Sequence, residues 1–298
     1  IPIIGSSIAM SIPLVLASVG GAFSVRSGIM ALGLESMMMM GAFFGVVGAY
    51  FSNNVLVGFL CGILGGGLYG LIVALLKVRY NTNETLLTLM LNYIALYLLQ
   101  FLGETKAGWN FFLDPDSARP KFAGFPDNAD MITFPLGPFN LNLSLIIAIV
   151  LCVLLFGYLK YTKHGYEIAV VGDSENTARY AGIRVPRIYV RTMALSGALC
   201  GFAGFLAVSA VSHTLSTETA GGRGFTAIIV AWLAKMNPFV MILISALLSF
   251  LDKGAVQIAS DFGLNEYVSQ IISGVILFFI LGSEFFINYQ VKAGGKHK

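Results

Sequence analysis

Charge is what this chain has least of. Of its 298 residues only 11% are Asp, Glu, Lys or Arg, against about a quarter in a soluble globular domain. With 57% hydrophobic residues and a mean hydropathy of +0.82, a water-exposed surface is excluded for most of the molecule, and lipid must take its place. Cysteine is also scarce. Cys61, Cys152 and Cys200 lie far apart inside apolar runs, which excludes a disulfide framework or a cysteine metal cluster and leaves small core residues. The three histidines (His164, His213 and His297) are scattered through polar segments. No HExxH motif, no metal-spaced His/Asp set and no Ser–His–Asp arrangement appears, so a membrane-embedded enzyme finds no support. There is no GxxxxGK[ST] phosphate loop, so ATP chemistry has no home in this chain. No basic stretch precedes the first apolar run and no small-residue cleavage site follows it, so a secretory signal peptide is not expected.

What is present is a series of apolar runs near the length of about 20 residues that crosses a bilayer. The expected spans are Ile3–Val25, Gly28–Tyr50, Val55–Leu76, Thr85–Gly103, Leu141–Tyr161, Val190–Val211 and Tyr267–Ile287. Two shorter runs, Gly224–Ala234 and Pro238–Leu251, are separated by Lys235 and Asn237. They read either as two short crossings or as a re-entrant segment plus one crossing. With nine crossings and residue 1 outside, 13 of the 18 basic residues fall on the cytoplasmic side, a strong positive-inside bias. Arg223 and Lys253 count among the five outside. A re-entrant Gly224–Ala234 would put the basic C-terminus outside and spoil the pattern, so nine crossings with two short ones are preferred. The fold class is therefore an all-α polytopic membrane protein. Glycine spacings Gly41/Gly45, Gly62/Gly66/Gly70 and Gly197/Gly201 place small residues on one helix face, suited to close packing. The loop 104–140, rich in Pro, Asp, Asn and aromatics, is the longest external segment.

One long polar island interrupts the apolar pattern, residues 161–189, with KHGYEIAVVGDSENTARYAGIRVPR at its centre. Asp173 or Ser174 can cap a helix start. Glu175 suits the first turn and Arg179 the last. Gly182 followed by Pro186 ends it. The expected helix, 174–181, is too short to stand alone and needs something to pack on; it reads either as a docking element or as an ordinary loop. Within the membrane, Glu35 either contacts a polar solute or locks one helix to another. Asn92 either bonds a neighbouring helix or lines a polar cavity. Tyr93 and Phe225 either stack on a base or sugar or serve as core aromatics. Glu84 and Asn83 read as interfacial, as does Glu284, and His213 reads as a solvated loop residue.

The stretch GYEIAVVGDSENTARYAGI resembles the cytoplasmic coupling region of permease subunits of bacterial ABC importers, in the branch that serves branched-chain amino acids, ribose-type sugars and nucleosides. SVRSGIMALGLESMMMMGAF, NETLLTLMLNYIALYL and GRGFTAIIVAWLAKMNP are similar to further segments of that family in the same order. The third of these four points to nucleosides or simple sugars. Ala31 stands where Asn is common, and Ala234 where Gly is common before the Asn-Pro.

The resemblance implies a permease subunit that forms half of a translocation pathway, with a second homologous permease, a cytoplasmic ABC ATPase that binds magnesium–ATP, and an extracellular substrate-binding lipoprotein as partners. It implies no cofactor in this chain and no nucleic-acid partner. It places the chain in the bacterial cytoplasmic membrane with the C-terminus inside, and a tenth helix ahead of Ile3. ATPase docking would fall on Gly165, Tyr166, Glu167, Asp173, Ser174, Glu175, Arg179, Tyr180, Ala181 and Gly182. The substrate pathway would run past Glu35, Asn92, Tyr93 and Phe225. The competing reading is a stand-alone ion-coupled secondary transporter of a small polar solute, which should carry more mid-membrane charge than Glu35 alone.

Overall fold

A computed structural model describes residues 2–104, 133–136, 139–212, 215, 219–263 and 265–288. In chain order the helices are α1 (Pro2–Arg26), α2 (Leu34–Ser52), α3 (Val55–Tyr80), α4 (Glu84–Glu104), α5 (Leu143–Tyr161), α6 (Lys163–Asp173), α7 (Glu175–Tyr180), α8 (Val185–Ala207), α9 (Arg223–Leu233), α10 (Pro238–Asp261) and α11 (Glu266–Asn288). Among the described residues, seven helices are long and apolar enough to cross a membrane, and α9 and the Tyr267–Ile280 part of α11 are shorter apolar helices. The chain is a helical, multi-pass membrane protein. Most of loop 104–140 lies outside the described residues. Its described part adds a two-stranded antiparallel hairpin to the all-α expectation, Thr133–Leu136 with Phe139–Asn142, Thr133 paired with Asn142.

Helices α1 and α8 form the centre, with 78% and 72% of their apolar windows buried, whereas α4 and α5 reach only 22%. α1 carries hydroxyls into this core at little cost, because Ser18 and Ser24, and Ser27 just past its end, donate to carbonyls three residues back. Ser196 of α8 donates to the Gly20 carbonyl at 2.7 Å, joining the two central helices. α2 and α3 close on α8 through glycine. A methyl group at Gly66 would overlap the Gly197 carbonyl, and one at Gly41 would overlap the Gly201 backbone. Backbones in direct contact gain dispersion energy that larger residues would forfeit. The expected glycine spacings thus meet one another across three helices.

These contacts also fix helix direction. Gly62, Gly66 and Gly70 meet Gly201, Gly197 and Met193 in turn, so α3 runs antiparallel to α8. Gly41 meets Gly201 and Gly45 meets Phe205, so α2 runs parallel to it. Phe156 near the end of α5 touches Phe239 at the start of α10, ring centroids 5.0 Å apart. Ser273 of α11 donates to Asp252 of α10. The start of α10 and the end of α11 therefore lie at the end of the bundle that holds α6 and α7.

Several boundaries differ from expectation. α2 begins at Leu34, not Gly28, because Ile29–Gly33 forms a bent connector whose Leu32 amide donates to Thr88 Oγ1 of α4 at 3.2 Å. α8 begins at Val185 with Pro186 in its first turn, five residues early, and ends in a π-helical segment, Val208–Ser212. α10 is a full-length helix of 24 residues rather than a short crossing. Only α9 is short. Its 11 residues span about 16 Å, roughly half the hydrocarbon core. Between α8 and α9, Leu215 is 1% exposed and packs in one cluster with Met39, Phe43 and Val208. Non-helical backbone at membrane depth is tolerated where protein shields it.

Candidate functional site

The polar island folds into two helices, not one. Thr162 caps α6, its Oγ1 accepting from the Gly165 amide. Gly165 is buried because a Cβ there would overlap the Leu159 backbone at the end of α5. The island's pattern carries Ile168 and Val171 at helical spacing, and both are buried. Gly172 then presses backbone to backbone on the α1–α2 connector, its Cα 3.4 Å from where a Gly28 Cβ would stand, and Gly28 has φ +83°. Helix α6 was not foreseen. Its apolar positions are its one sequence signal, and the polar residues around them hide it.

Ser174 caps α7, accepting from the Thr177 amide at 3.3 Å. At the other end Gly182 donates to Arg179 and Ile183 to the Ala178 carbonyl, a Schellman closure with Gly182 at φ +76°. Two caps on a six-residue helix still leave it marginal alone. Its anchors are Ala178, fully buried, and Glu175, whose Oε1 accepts the hydroxyl proton of Tyr189 on α8. Arg179 reaches the other Glu175 oxygen at 3.4 Å. The outward face is bare. Tyr180 is 94% exposed, Tyr166 is exposed, and Asp173, Arg179, Ala181 and Gly182 are open to solvent. Arg179, Arg184 and Arg187 line a shallow basic depression beside it. Glu167 is partly buried and pairs within α6 with Lys163 and His164.

The second region lies in the membrane. Glu35 of α2 places Oε1 2.9 Å from the Gly222 amide. The free amide of Phe225 faces the same carboxylate. Gly222 has no side chain to cap α9, so Glu35 caps that half-helix from a neighbouring element, where an anion suits the helix N-terminus. Gly224 allows this approach, since a Cβ there would overlap the Glu35 backbone. Glu35 and Phe225 are thus brought together. Asn92 is half-buried on α4, and its Oδ1 has no hydrogen-bond partner among the described residues. Tyr93 is not part of this group. It is 60% exposed on the outer face of α4 and stacks on Tyr97. The helical step of 100° per residue separates it from Asn92. Glu84 pairs with Lys77 at 2.5 Å across the α3–α4 turn. His213 lies outside the described residues.

Two residues escaped the sequence reading. Arg223 was expected outside, yet it opens α9 in the electrostatic field of both Glu35 and Asp252. Asp252 was not considered. Both line a cavity of about 370 Å³ between α1, α9, α10 and α11. The sequence signal that could have found them is ionisable residues within or beside apolar runs, read as interior by default.

The family model for the permease component of the branched-chain amino acid transport system matches residues 3–281. The chain belongs to this permease family. The permease is 26% identical over 298 aligned positions to the glucose ABC transporter permease protein TsgB13 of Haloferax volcanii, covering 94% of this chain and 76% of that protein. It is 25% identical over 287 positions to the guanosine ABC transporter permease protein NupP of Bacillus subtilis, covering 94% and 81%. With the nucleoside ABC transporter permease protein NupC of Lactococcus lactis subsp. cremoris it shares 28% over 288 positions, covering 91% and 87%. No solved structure matches the permease. It is a transport subunit, not an enzyme.

Proposed function

We propose that this permease is one half of the translocation pathway of an ATP-driven importer for a nucleoside or a related ribose-type sugar. The observation that carries the reading is the doubly capped, solvent-facing α7, held on the bundle by Tyr189 and displaying Tyr180 outward. A short helix that buries one face and bares the other is a docking shape. In this reading a separate cytoplasmic ATPase grips α7 and holds the magnesium–ATP. A second homologous permease completes the pathway, an external binding lipoprotein delivers the solute, and lipid surrounds the apolar faces. The cytoplasmic side is the end with α6 and α7, where Arg26, Lys77, Arg79, Lys160, Arg184 and Arg187 also gather, following the positive-inside bias. The end of α11 lies at that same end, which supports a cytoplasmic C-terminus in this reading. The nucleoside preference rests on the relatives named for guanosine and nucleosides.

α6 and α7 also have a route inward. Gly172 of α6 bears on the connector at Gly28, the connector runs into α2, and Glu35 at the start of α2 holds the N-terminus of α9. A push on α6 and α7 would therefore reach α9 through backbone contacts rather than long side chains. The test is co-expression with a tagged ATPase from the same operon. Deleting 174–181 should preserve membrane insertion and abolish co-purification. Full-yield co-purification would overturn the docking assignment. Uphill solute uptake by the purified subunit alone on an ion gradient would favour the secondary-transporter reading instead.

A further inference from the structure

Arg223 is a guanidinium at membrane depth whose five N–H donors are unclaimed among the described residues. Among the described residues its side chain makes no ion pair within 4.0 Å and no hydrogen bond; only its backbone amide is engaged, with Ala220. A charged donor left unpaired in such a place is costly, so something polar must face it. Glu35 does not reach it: no Glu35 oxygen lies within ion-pair distance of Arg223 among the described residues, its Oε1 is bonded to the Gly222 amide, and its Oε2 is itself buried without a partner. Asp252 stands in the same field and lines the same cavity, but its side-chain partner is Ser273 of α11, at 2.8 Å. The cavity wall adds Thr226, Ser249 and Gln270, while Met10, Leu14 and Leu277 supply an apolar side. A volume of about 370 Å³ falls in the range that holds small ligands.

We propose that Arg223, Asp252 and Ser273 form a solute-binding subsite in the cavity between α1, α9, α10 and α11, and that it takes the hydroxyl-rich part of an uncharged solute. The chemistry is complementary. A carboxylate accepts from two neighbouring hydroxyls, as on a ribose ring, and the guanidinium fork donates to the ring or hydroxyl oxygens. The apolar wall suits the flat face of a base. Two carboxylates, Glu35 and Asp252, stand against one guanidinium, so the field opposes a phosphate ester and selects the dephosphorylated compound. The site deepens the importer reading and rests on it. It also gives α9 a reason to be a half-helix, since its first residue, Arg223, moves with Glu35 and the connector.

The test uses the full importer in proteoliposomes, with Cys61, Cys152 and Cys200 replaced, and single Ser249→Cys and Ser273→Cys substitutions labelled by a charged thiol reagent. Guanosine and ribose are the probes, and guanosine monophosphate is the control. The expected result is labelling that guanosine or ribose slows by at least about fivefold and guanosine monophosphate does not. Asp252→Asn should raise the KM for guanosine uptake by about tenfold or more without loss of complex yield. If the cysteines stay unlabelled, or are shielded equally by the phosphate ester, the subsite is overturned while transport stands. If Arg223→Gln and Asp252→Asn each lose complex yield and the double variant regains both yield and KM, the pair is a structural charge balance and the subsite is wrong. If wild-type liposomes move neither probe, the importer reading fails, and the subsite falls with it.

Discussion

Tyr189 donates its hydroxyl to Glu175, and that one bond ties the exposed helix α7 to the central helix α8. The acceptor is a carboxylate, which makes the bond stronger than a neutral one, and both groups are partly shielded. Tyr189→Phe keeps the ring and removes the bond. It should cost α7 about 2 kcal/mol, which speeds amide hydrogen exchange across residues 175–183 by about 30-fold. Unchanged exchange would mean that Ala178 and the two caps hold α7 without it.

Among the described residues nothing holds Tyr180, which is 94% exposed. Tyr180→Ala should leave thermal stability in detergent unchanged. An aromatic anchor filling a partner's pocket contributes about 2 kcal/mol or more, so ATPase affinity should fall about 30-fold in a titration with the purified ATPase. Equal affinity would move the grip elsewhere on α6 and α7.

Two glycines of the same segment should respond differently to alanine. At Gly172 the methyl overlaps the Arg26 carbonyl, and overpacking of this kind costs about 1–3 kcal/mol. At Gly182 the space is empty and φ +76° is the sole obstacle, costing about 1 kcal/mol. Gly172→Ala should therefore lower the apparent Tm more than Gly182→Ala. It should also reduce uptake while the ATPase still co-purifies, since it jams the contact with the α1–α2 connector. The reverse order of Tm losses would contradict the close approach.

Glu35 accepts an amide proton, a role an uncharged amide oxygen also fills. Glu35→Gln should keep stability near wild type, and Glu35→Ala should lose about 1–3 kcal/mol by leaving the Gly222 amide unpaired. Thermal unfolding of the two variants side by side separates the lock from a role in which charge itself matters. Equal loss in both would show that charge, not the hydrogen bond, holds α9.

Asn92 has an unpartnered, buried Oδ1 on α4. Asn92→Leu should lower uptake more than it lowers expression. Unchanged uptake would remove Asn92 from the pathway.

Much of the architecture was legible because lipid simplifies the reading: apolar length marks a crossing, and basic residues mark its side. The caps of α7 were legible too, since Ser174 and Gly182 act on neighbours in the chain. That Tyr93 would stand apart from Asn92 was not weighed, because adjacent helical residues face different ways, and periodicity alone does not say which stripe of a largely apolar helix meets protein. The length of α10 was underestimated because Asp252 and Lys253 interrupt its apolar run, although Asp252 is turned to a polar cavity. Arg223 was placed outside for the same reason.

Composition and order alone determined that this chain lives in a bilayer, where it turns, and which segment protrudes, since those properties depend on local hydropathy and on capping by near neighbours. The tertiary structure decided the rest. Glu35 and Gly222 are 187 residues apart, and nothing local in either announces the other. Their meeting exists only because Gly224 lets α9 approach the Glu35 backbone closely enough to bring distant polar groups into one shielded space.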